Sequence, residues 1–397
     1  MLYFFLSVAA ALEMEDLMED RLLESLKAID PAVLTDVVRQ DQRNPSFEIT
    51  RWSITPLSDK GVINPDGLWL FSGEGHDGGN SQPWSVVLKI LERSDQEATP
   101  NDLWYWKREL LWAQSHLIEH LPGPVKCPRF YRAEETPDGA WLWQEHVENQ
   151  RPDPWSLDDY AFAAHQLGLW NGAYVRGTPL PDKPWFTLRH YLSWYTRANP
   201  AQDFQFVLNQ KYIYSDTRSR YDLLWSDREL FYRVLETLPQ TFSHFDSQRR
   251  NLFIRKGSDK QDELVLVDRA VCGLGPLGAE LFALIGMSAA LFEWSPSDLA
   301  ELDQVAFGSY LHGLGEAGWS GDTDMIRLAY TAWMAVYFGV VFPNIVALWC
   351  TPEARTDALQ AFGFAEEEAC LQWLPLFHYS LDCADEARSL MKKLALL

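Results

Sequence analysis

Five short β-prone runs crowd residues 46–148, and almost everything beyond them is patterned for helices. The runs are SFEITRWSITPLS, GLWLFSG, WSVVLKILE, PRFYRAEE and AWLWQEHVE. Turn-forming Gly, Asn, Asp and Pro separate them, as in EGHDGGNSQP and TPDG. The first three runs follow one another with no helix between, which predicts an antiparallel meander. A helical pattern over 102–121, DLWYWKRELLWAQSHLIEHL, stands between the third and fourth runs and closes on Pro122 and Gly123. The order expected for the first 148 residues is therefore helix, three strands, helix, two strands. Strands and helices segregated in this way make an α+β protein.

At 397 residues the chain is long for a single core, and two lobes are expected. Two prolines in RPDPW mark a hinge. This divides the chain into a helical N-terminal extension (1–43), a β-rich N-lobe (44–148) and a helical C-lobe (149–397). In the extension, LLESLKAI and PAVLTDVV carry apolar residues at helical spacing. The opening run MLYFFLSVAAAL is apolar, but no Lys or Arg precedes it, acidic residues follow at once, and it is too short to span a bilayer. It is expected to be a frayed or packed extension, with Met14 and Met18 as alternative starts.

A formal net charge of −22, with no dense basic block, argues against a nucleic-acid partner. Two readings of the acidity stand. It keeps the protein soluble, or it forms a cleft that attracts a cationic small molecule. The five cysteines (Cys127, Cys272, Cys350, Cys370 and Cys383) are widely spaced and form no C-x-x-C pair. That pattern suits reduced thiols in the cytoplasm better than disulfides or a zinc site.

Within the helical region, NLFIRK and ELVLVD read as two strands joined by the polar turn GSDKQD, and as the region's only hairpin. His244, Asp246 and Asn251 precede it in the form H-x-D-x-x-x-x-N, and Asp268 ends its second strand. Phosphoryl transfer needs such a set. One carboxylate orients or accepts the proton of an attacking hydroxyl, while an amide oxygen and a second carboxylate hold Mg2+ against nucleotide phosphates.

With these motifs and the following GPLGAEL, the sequence resembles the aminoglycoside phosphotransferase-like branch of the protein-kinase-like fold, over most of the chain. The resemblance implies a two-lobed fold: a small antiparallel N-lobe with one main helix, and a larger helical C-lobe carrying the catalytic hairpin. It implies ATP and Mg2+ as cofactors and a small-molecule acceptor such as an aminoglycoside, amino alcohol or sugar. Asp246 then acts as base, with Asn251 and Asp268 as metal ligands. Lys89 in the third strand steadies the phosphates and Glu109 on the helix orients it. The backbone near Gln144, Glu145 and Val147 meets an adenine ring. The turn Asn64–Gly67 takes the place of a Gly-rich cover. No A-P-E segment follows Asp268, so protein substrates are not expected.

Each position also has a plainer reading. His244 is expected to shape the loop rather than carry protons, and Asp246 could simply cap a turn. Arg269, beside the metal-ligand position, departs from the family pattern, and with the unconventional cover turn it motivates a rival, non-catalytic nucleotide- or ligand-binding protein. It is expected to point away from its neighbour, because adjacent residues of an extended segment face opposite sides. Arg249 and Arg250 are solvated, or pair with a carboxylate such as Glu280, or touch a phosphate in place of the kinase lysine position, which holds Gln248. His165 and His190 have no second ligand at i+4, so zinc is not expected there. Trp104, Tyr105 and Trp112 read as packing.

Overall fold

Asp30 accepts the Ala32 N–H and Pro31 presets the first helical φ, so helix α1 (Pro31–Asp41) starts where the apolar spacing says it should. The computed structural model describes residues 23–57, 67–94, 99–103, 105–151, 153–188, 216–343 and 366–396, with side chains from 372 in the last segment. Met14, Met18, Asn64 to Asp66, Trp104, Pro152, His190, Cys350 and the Cys370 side chain lie outside these residues.

The N-terminal sheet comprises β1 (Glu48–Pro56), β2 (Leu68–His76), β3 (Gln82–Glu92), β4 (Phe130–Thr136) and β5 (Gly139–Glu145) in the order β1-β2-β3-β5-β4. All neighbours are antiparallel. Alternation along β3 turns Trp84, Val86, Leu88 and Ile90 to one face, where they bury α1 residues Leu34, Val37 and Val38. Lys89 and Leu91 take the other face, over helix α2 (Arg108–Gln114).

The single helix expected over 102–121 is broken. Only Arg108–Gln114 is α-helical, His116 turns left-handed (φ 56), and a 3-10 turn covers Leu117–His120. Upstream, the Arg108 guanidinium takes the Pro100, Asp102 and Leu103 carbonyls, which winds those residues into turns around it.

Beyond residue 150 the described helices are α3 (Leu157–Val175), α4 (Thr217–Thr237), α5 (Leu299–Glu316), α6 (Thr323–Val336) and α7 (Glu366–Lys393). Ser156 and Asp159 form a reciprocal capping box that starts α3. The expected hairpin is present as β8 (Leu252–Lys256) and β9 (Asp262–Leu266), paired from Leu252↔Leu266 to Lys256↔Asp262. It is not the only β-structure of the region. Strands β6 (Thr187–Leu188), β7 (Gln240–Ser243) and β10 (Gly273–Pro276) form a second sheet in the order β6-β10-β7. Strands of two to four residues are too short to leave a period-2 signature.

An antiparallel sheet with its helix, followed by a helical region carrying a hairpin, is the α+β arrangement expected. Cys127, Cys272 and Cys383 are buried free thiols. Among the described residues, no helix is long and apolar enough to cross a membrane.

Candidate active site

Three distant stretches meet at Lys89. Its Nζ lies 2.6 Å from Glu109 Oε2 and 3.2 Å from Asp268 Oδ2. Burial alone would lower the Lys89 ammonium, but the Asp268 and Glu109 charges outweigh it and raise it above the usual lysine range. Burial pushes the Glu109 carboxyl up, against the pull of Lys89. The Asp268 side chain keeps 37% of its exposure, whereas that of Glu109 keeps 3%. Its surroundings would raise Asp268, yet Lys89 and the Ala270 N–H hold it below the usual carboxylate range.

Asp268 lies two residues past the end of β9, in left-handed backbone (φ 60), a conformation that Asp tolerates well. Arg269 points away from its neighbour, as expected, but the left-handed turn at Asp268 rather than strand alternation sends it into the core. It is 2% exposed and stacks over Trp112 and Trp170, its Cζ 4.9 and 5.7 Å from the ring centroids, while Nη2 donates to Cys127 Sγ. The cation that departed from the family pattern is thus aimed away from the Asp268 carboxylate. Trp112 packs under it, while Tyr105 lies at the edge of the same core.

The loop before β8 is built around two buried hubs. Glu280 accepts the His244 N–H at 2.5 Å and the Ser247 hydroxyl at 2.7 Å. His244, fully buried, bonds the Val267 carbonyl through Nε2 at 2.8 Å and accepts the Asp246 N–H on Nδ1 at 3.2 Å. Those partners fix the neutral Nε2–H tautomer. Burial first, and then the Arg269 charge, push the imidazole down to about 3. Phe245 between them is left-handed (φ 64), a strained state for an aromatic residue. Its ring stacks on Trp333 at 5.5 Å, and Gly275 leaves it room, since a Cβ there would lie 2.5 Å from the ring.

This arrangement has a pH signature. An imidazole neutral in the fold but protonated when unfolded makes stability fall as pH drops below 6.5. The loss expected from His244 between pH 7 and pH 5 is about 2 kcal/mol, and His244→Asn should lack it. Urea melts at the two pH values check this. An equal acid loss in variant and wild type would dismiss the assignment.

Asp246 is held by two amides. Gln248 Nε2 donates to Oδ1 at 2.9 Å and Asn251 Nδ2 to Oδ2 at 2.7 Å. Burial first, and the Asp268 charge second, raise its carboxyl to about 7 despite both bonds. Asn251 Nδ2 also donates to the Asp246 carbonyl at 3.0 Å, which turns the amide oxygen elsewhere.

Arg249 and Arg250 pair with carboxylates, but Glu280 is not their partner. Arg250 Nε lies 2.7 Å and Arg249 Nη1 3.4 Å from Glu293 Oε1, and Arg249 also pairs with Asp153. Glu280 is already occupied by the loop's own donors, so the arginines go to the next acid in space.

At the edge of the sheet, Gln144 pairs with Val87 and Phe130. The Glu145 carboxylate accepts from Arg129 N and Nε at 3.1 and 3.2 Å and from Arg255 Nη1 at 2.7 Å. Its side chain thus joins the sheet to β8 and is committed there. Val147 is buried, and among the described residues its backbone N–H and C=O have no hydrogen-bond partner.

Two contributors were not legible in the sequence. Gln248 is the second clamp on Asp246. Arg108, fully buried, donates to the Trp185 and Ala270 carbonyls at 2.8 and 2.5 Å besides the three upstream, tying α2 to the loop after Asp268. Their partners are backbone carbonyls and a residue two positions away, neither of which leaves a spacing to read.

No protein-family model matches the chain, and no curated protein does. Solved structures do resemble it. An aminoglycoside phosphotransferase from Alicyclobacillus acidocaldarius is 12% identical with a TM-score of 0.46, covering 88% of this chain and 93% of its own. An amicoumacin kinase in complex with AMP-PNP and Ca2+ is 14% identical with a TM-score of 0.47, covering 89% and 98%. A choline kinase from Cryptosporidium parvum is 12% identical with a TM-score of 0.47, covering 92% and 97%. At such identities and scores these likenesses carry no argument about activity or substrate.

Proposed function

We propose that this chain transfers the γ-phosphoryl group of ATP, with Mg2+, to a hydroxyl group of a small molecule. The observation that carries the reading is the meeting of Lys89, Glu109 and Asp268 beside an Asp246 carboxylate pinned by two amides.

The donor set fits a hard divalent cation. Asp268 is held charged by Lys89 and the Ala270 N–H, and Asn251, with its nitrogen engaged by Asp246, has an amide oxygen to offer. When bound there, the ion neutralises charge on the phosphate oxygens. Lys89 exchanges its Asp268 contact for those oxygens and keeps Glu109 as its anchor. The backbone at Val147 takes the adenine edge, while Gln144 and Glu145 hold that strand in place. Asp246 accepts the proton of the acceptor hydroxyl as its oxygen bonds to phosphorus and the bond to the ADP oxygen breaks.

The net charge of −22 and the 14% aromatic content favour a cationic or sugar-like acceptor: an aminoglycoside, an amino alcohol or a sugar. Buried free thiols at Cys127, Cys272 and Cys383 support a cytoplasmic setting. The non-catalytic alternative drew on Arg269 and on the unconventional turn at residues 64–67; the inward turn of the Arg269 side chain weakens the first of these motives, and most of the turn lies outside the described residues.

The expected result is a rise in Tm with ATP and Mg2+ together, and ADP release that depends on one member of a panel of aminoglycosides, amino alcohols and sugars. Absence of any nucleotide-induced shift would end both the phosphotransferase and the nucleotide-binding readings. A shift with no acceptor-dependent release would leave the non-catalytic one.

A further inference from the structure

Away from that site, α3 and α5 bring His165 together with His312 and Glu316, two metal-ligating side chains that lie about 150 residues further along the sequence. His165 Nε2 lies 3.0 Å from Glu316 Oε2, and His312 Nε2 lies 3.3 Å from Glu316 Oε1. The imidazole centroids are 5.2 Å apart, and one ligand atom from each residue falls within 4.8 Å of the others. His165 has no ligand at i+4 on its own helix; its partners come from the neighbouring helix, where His312 and Glu316 themselves stand at i,i+4. We propose that this cluster is a binding site for a borderline divalent cation of the Zn2+ class, latching α3 to α5.

The geometry suits such an ion. Zinc binds imidazole nitrogen and carboxylate oxygen at about 2.0–2.2 Å, which sets neighbouring tetrahedral ligand atoms about 3.3 Å apart. Each imidazole already stands about that far from one Glu316 oxygen, though from opposite oxygens, so the carboxylate has to turn one oxygen toward both as the gap between the imidazoles closes. The His312 side chain, 70% exposed, is free to rotate into it. Water completes the coordination on the open side, as in other sites with three protein ligands.

The two backbones are fixed at this point. A Cβ on Gly313 would meet the His165 carbonyl oxygen at 2.2 Å, and one on Gly168 would meet the Tyr310 carbonyl oxygen at 2.2 Å. Glycine at both positions lets the helices touch, so the ligands project from directly apposed backbones. The Tyr310 hydroxyl donates to Asn171 Oδ1 at 2.7 Å, a second tie between the same helices.

Gln166 supplies an outer partner. Its side-chain nitrogen is placed 3.3 Å from His165 Nδ1, which leaves the proton on Nε2 and that nitrogen bonded to Glu316. Rotating the Gln166 amide by half a turn presents its oxygen instead. His165 then carries its proton on Nδ1 and offers the Nε2 lone pair to the metal, the usual arrangement around ligating histidines.

Two nitrogens and a carboxylate favour Zn2+, Cu2+, Ni2+ or Co2+ over Mg2+ and Ca2+. This separates the site chemically from the all-oxygen set of Asn251 and Asp268, and its occupation does not depend on the phosphotransferase reading.

Calorimetric titration of the metal-free full chain with Zn2+, in excess Mg2+ to saturate oxygen sites, is expected to show a binding event that His165→Ala/His312→Ala loses. Gln166→Leu should weaken it by about tenfold. Co2+ should give d–d absorption of nitrogen/oxygen ligation in the wild type and not in the double variant. If the double variant melts early, His312→Asn, a change at an exposed side chain, reads the same loss. Undiminished Zn2+ affinity in the histidine variants, or no Zn2+ binding by the wild type, overturns the proposal.

Discussion

Asp246→Asn is expected to lower kcat for acceptor-dependent ADP release by about 10²–10⁴-fold, the range for removing a general base. The substitution keeps the volume and one oxygen, so at least one of the amide bonds from Gln248 or Asn251 can persist and the loop need not move. What disappears is the capacity to take a proton. A carboxylate that burial and Asp268 hold near 7 is matched to that task at neutral pH. Because Lys89, Glu109 and Asp268 are untouched, the Tm rise with ATP and Mg2+ should survive in the variant. Wild-type turnover in Asp246→Asn would remove this residue from the chemistry, and loss of the nucleotide shift as well would show a merely structural role.

Lys89→Met should be the more damaging change to the fold. Lys89 is the cation that pairs with Glu109, whose side chain is 3% exposed and is otherwise helped by the Arg269 N–H, and a buried charge that loses its ion-pair partner costs about 3–5 kcal/mol. The carboxyl can escape by taking a proton. Its folded-state value, already raised by burial, would rise further above the unfolded 4.5, so the deficit grows as pH increases. Comparing urea melts at pH 6 and pH 8 reads that slope. Adding Glu109→Gln to Lys89→Met should recover most of the stability and none of the ADP release. If the double variant were as unstable as Lys89→Met alone, the ion pair would not be the source of the loss.

How much of this site could be read from the chain depends on how each residue is held. Lys89 was named through the family resemblance, as the lysine of the third strand, and period-2 alternation along WSVVLKILE accounts for its direction: Trp84, Val86 and Leu88 bury α1, so the lysine looks the other way. Glu109 was placed on the right helix, although that helix is far shorter than the apolar spacing over 102–121 suggested. Apolar periodicity cannot register that a buried guanidinium will claim the carbonyls of the preceding turns, which is what Arg108 does. The loop's hydrogen-bond economy was also hidden. Glu280 was offered as one carboxylate that could pair with Arg249 and Arg250, but it is filled by His244 N–H and the Ser247 hydroxyl, and Glu293 receives both arginines.

Local order determined the elements: capped helices, alternating strands, a hairpin, and a histidine, two acids and an amide flanking it, all within reach of short-range rules of spacing and turn chemistry. Only the folded chain decided which of them meet. Lys89, Glu109 and Asp268 converge across 179 residues, and His165 finds its ligands on a helix 147 residues away. The physical reason is the same in both places. Side-chain contacts of a few ångströms are set by how two backbones pack, and packing of that closeness, as at Gly168 and Gly313, depends on surfaces that no single segment contains.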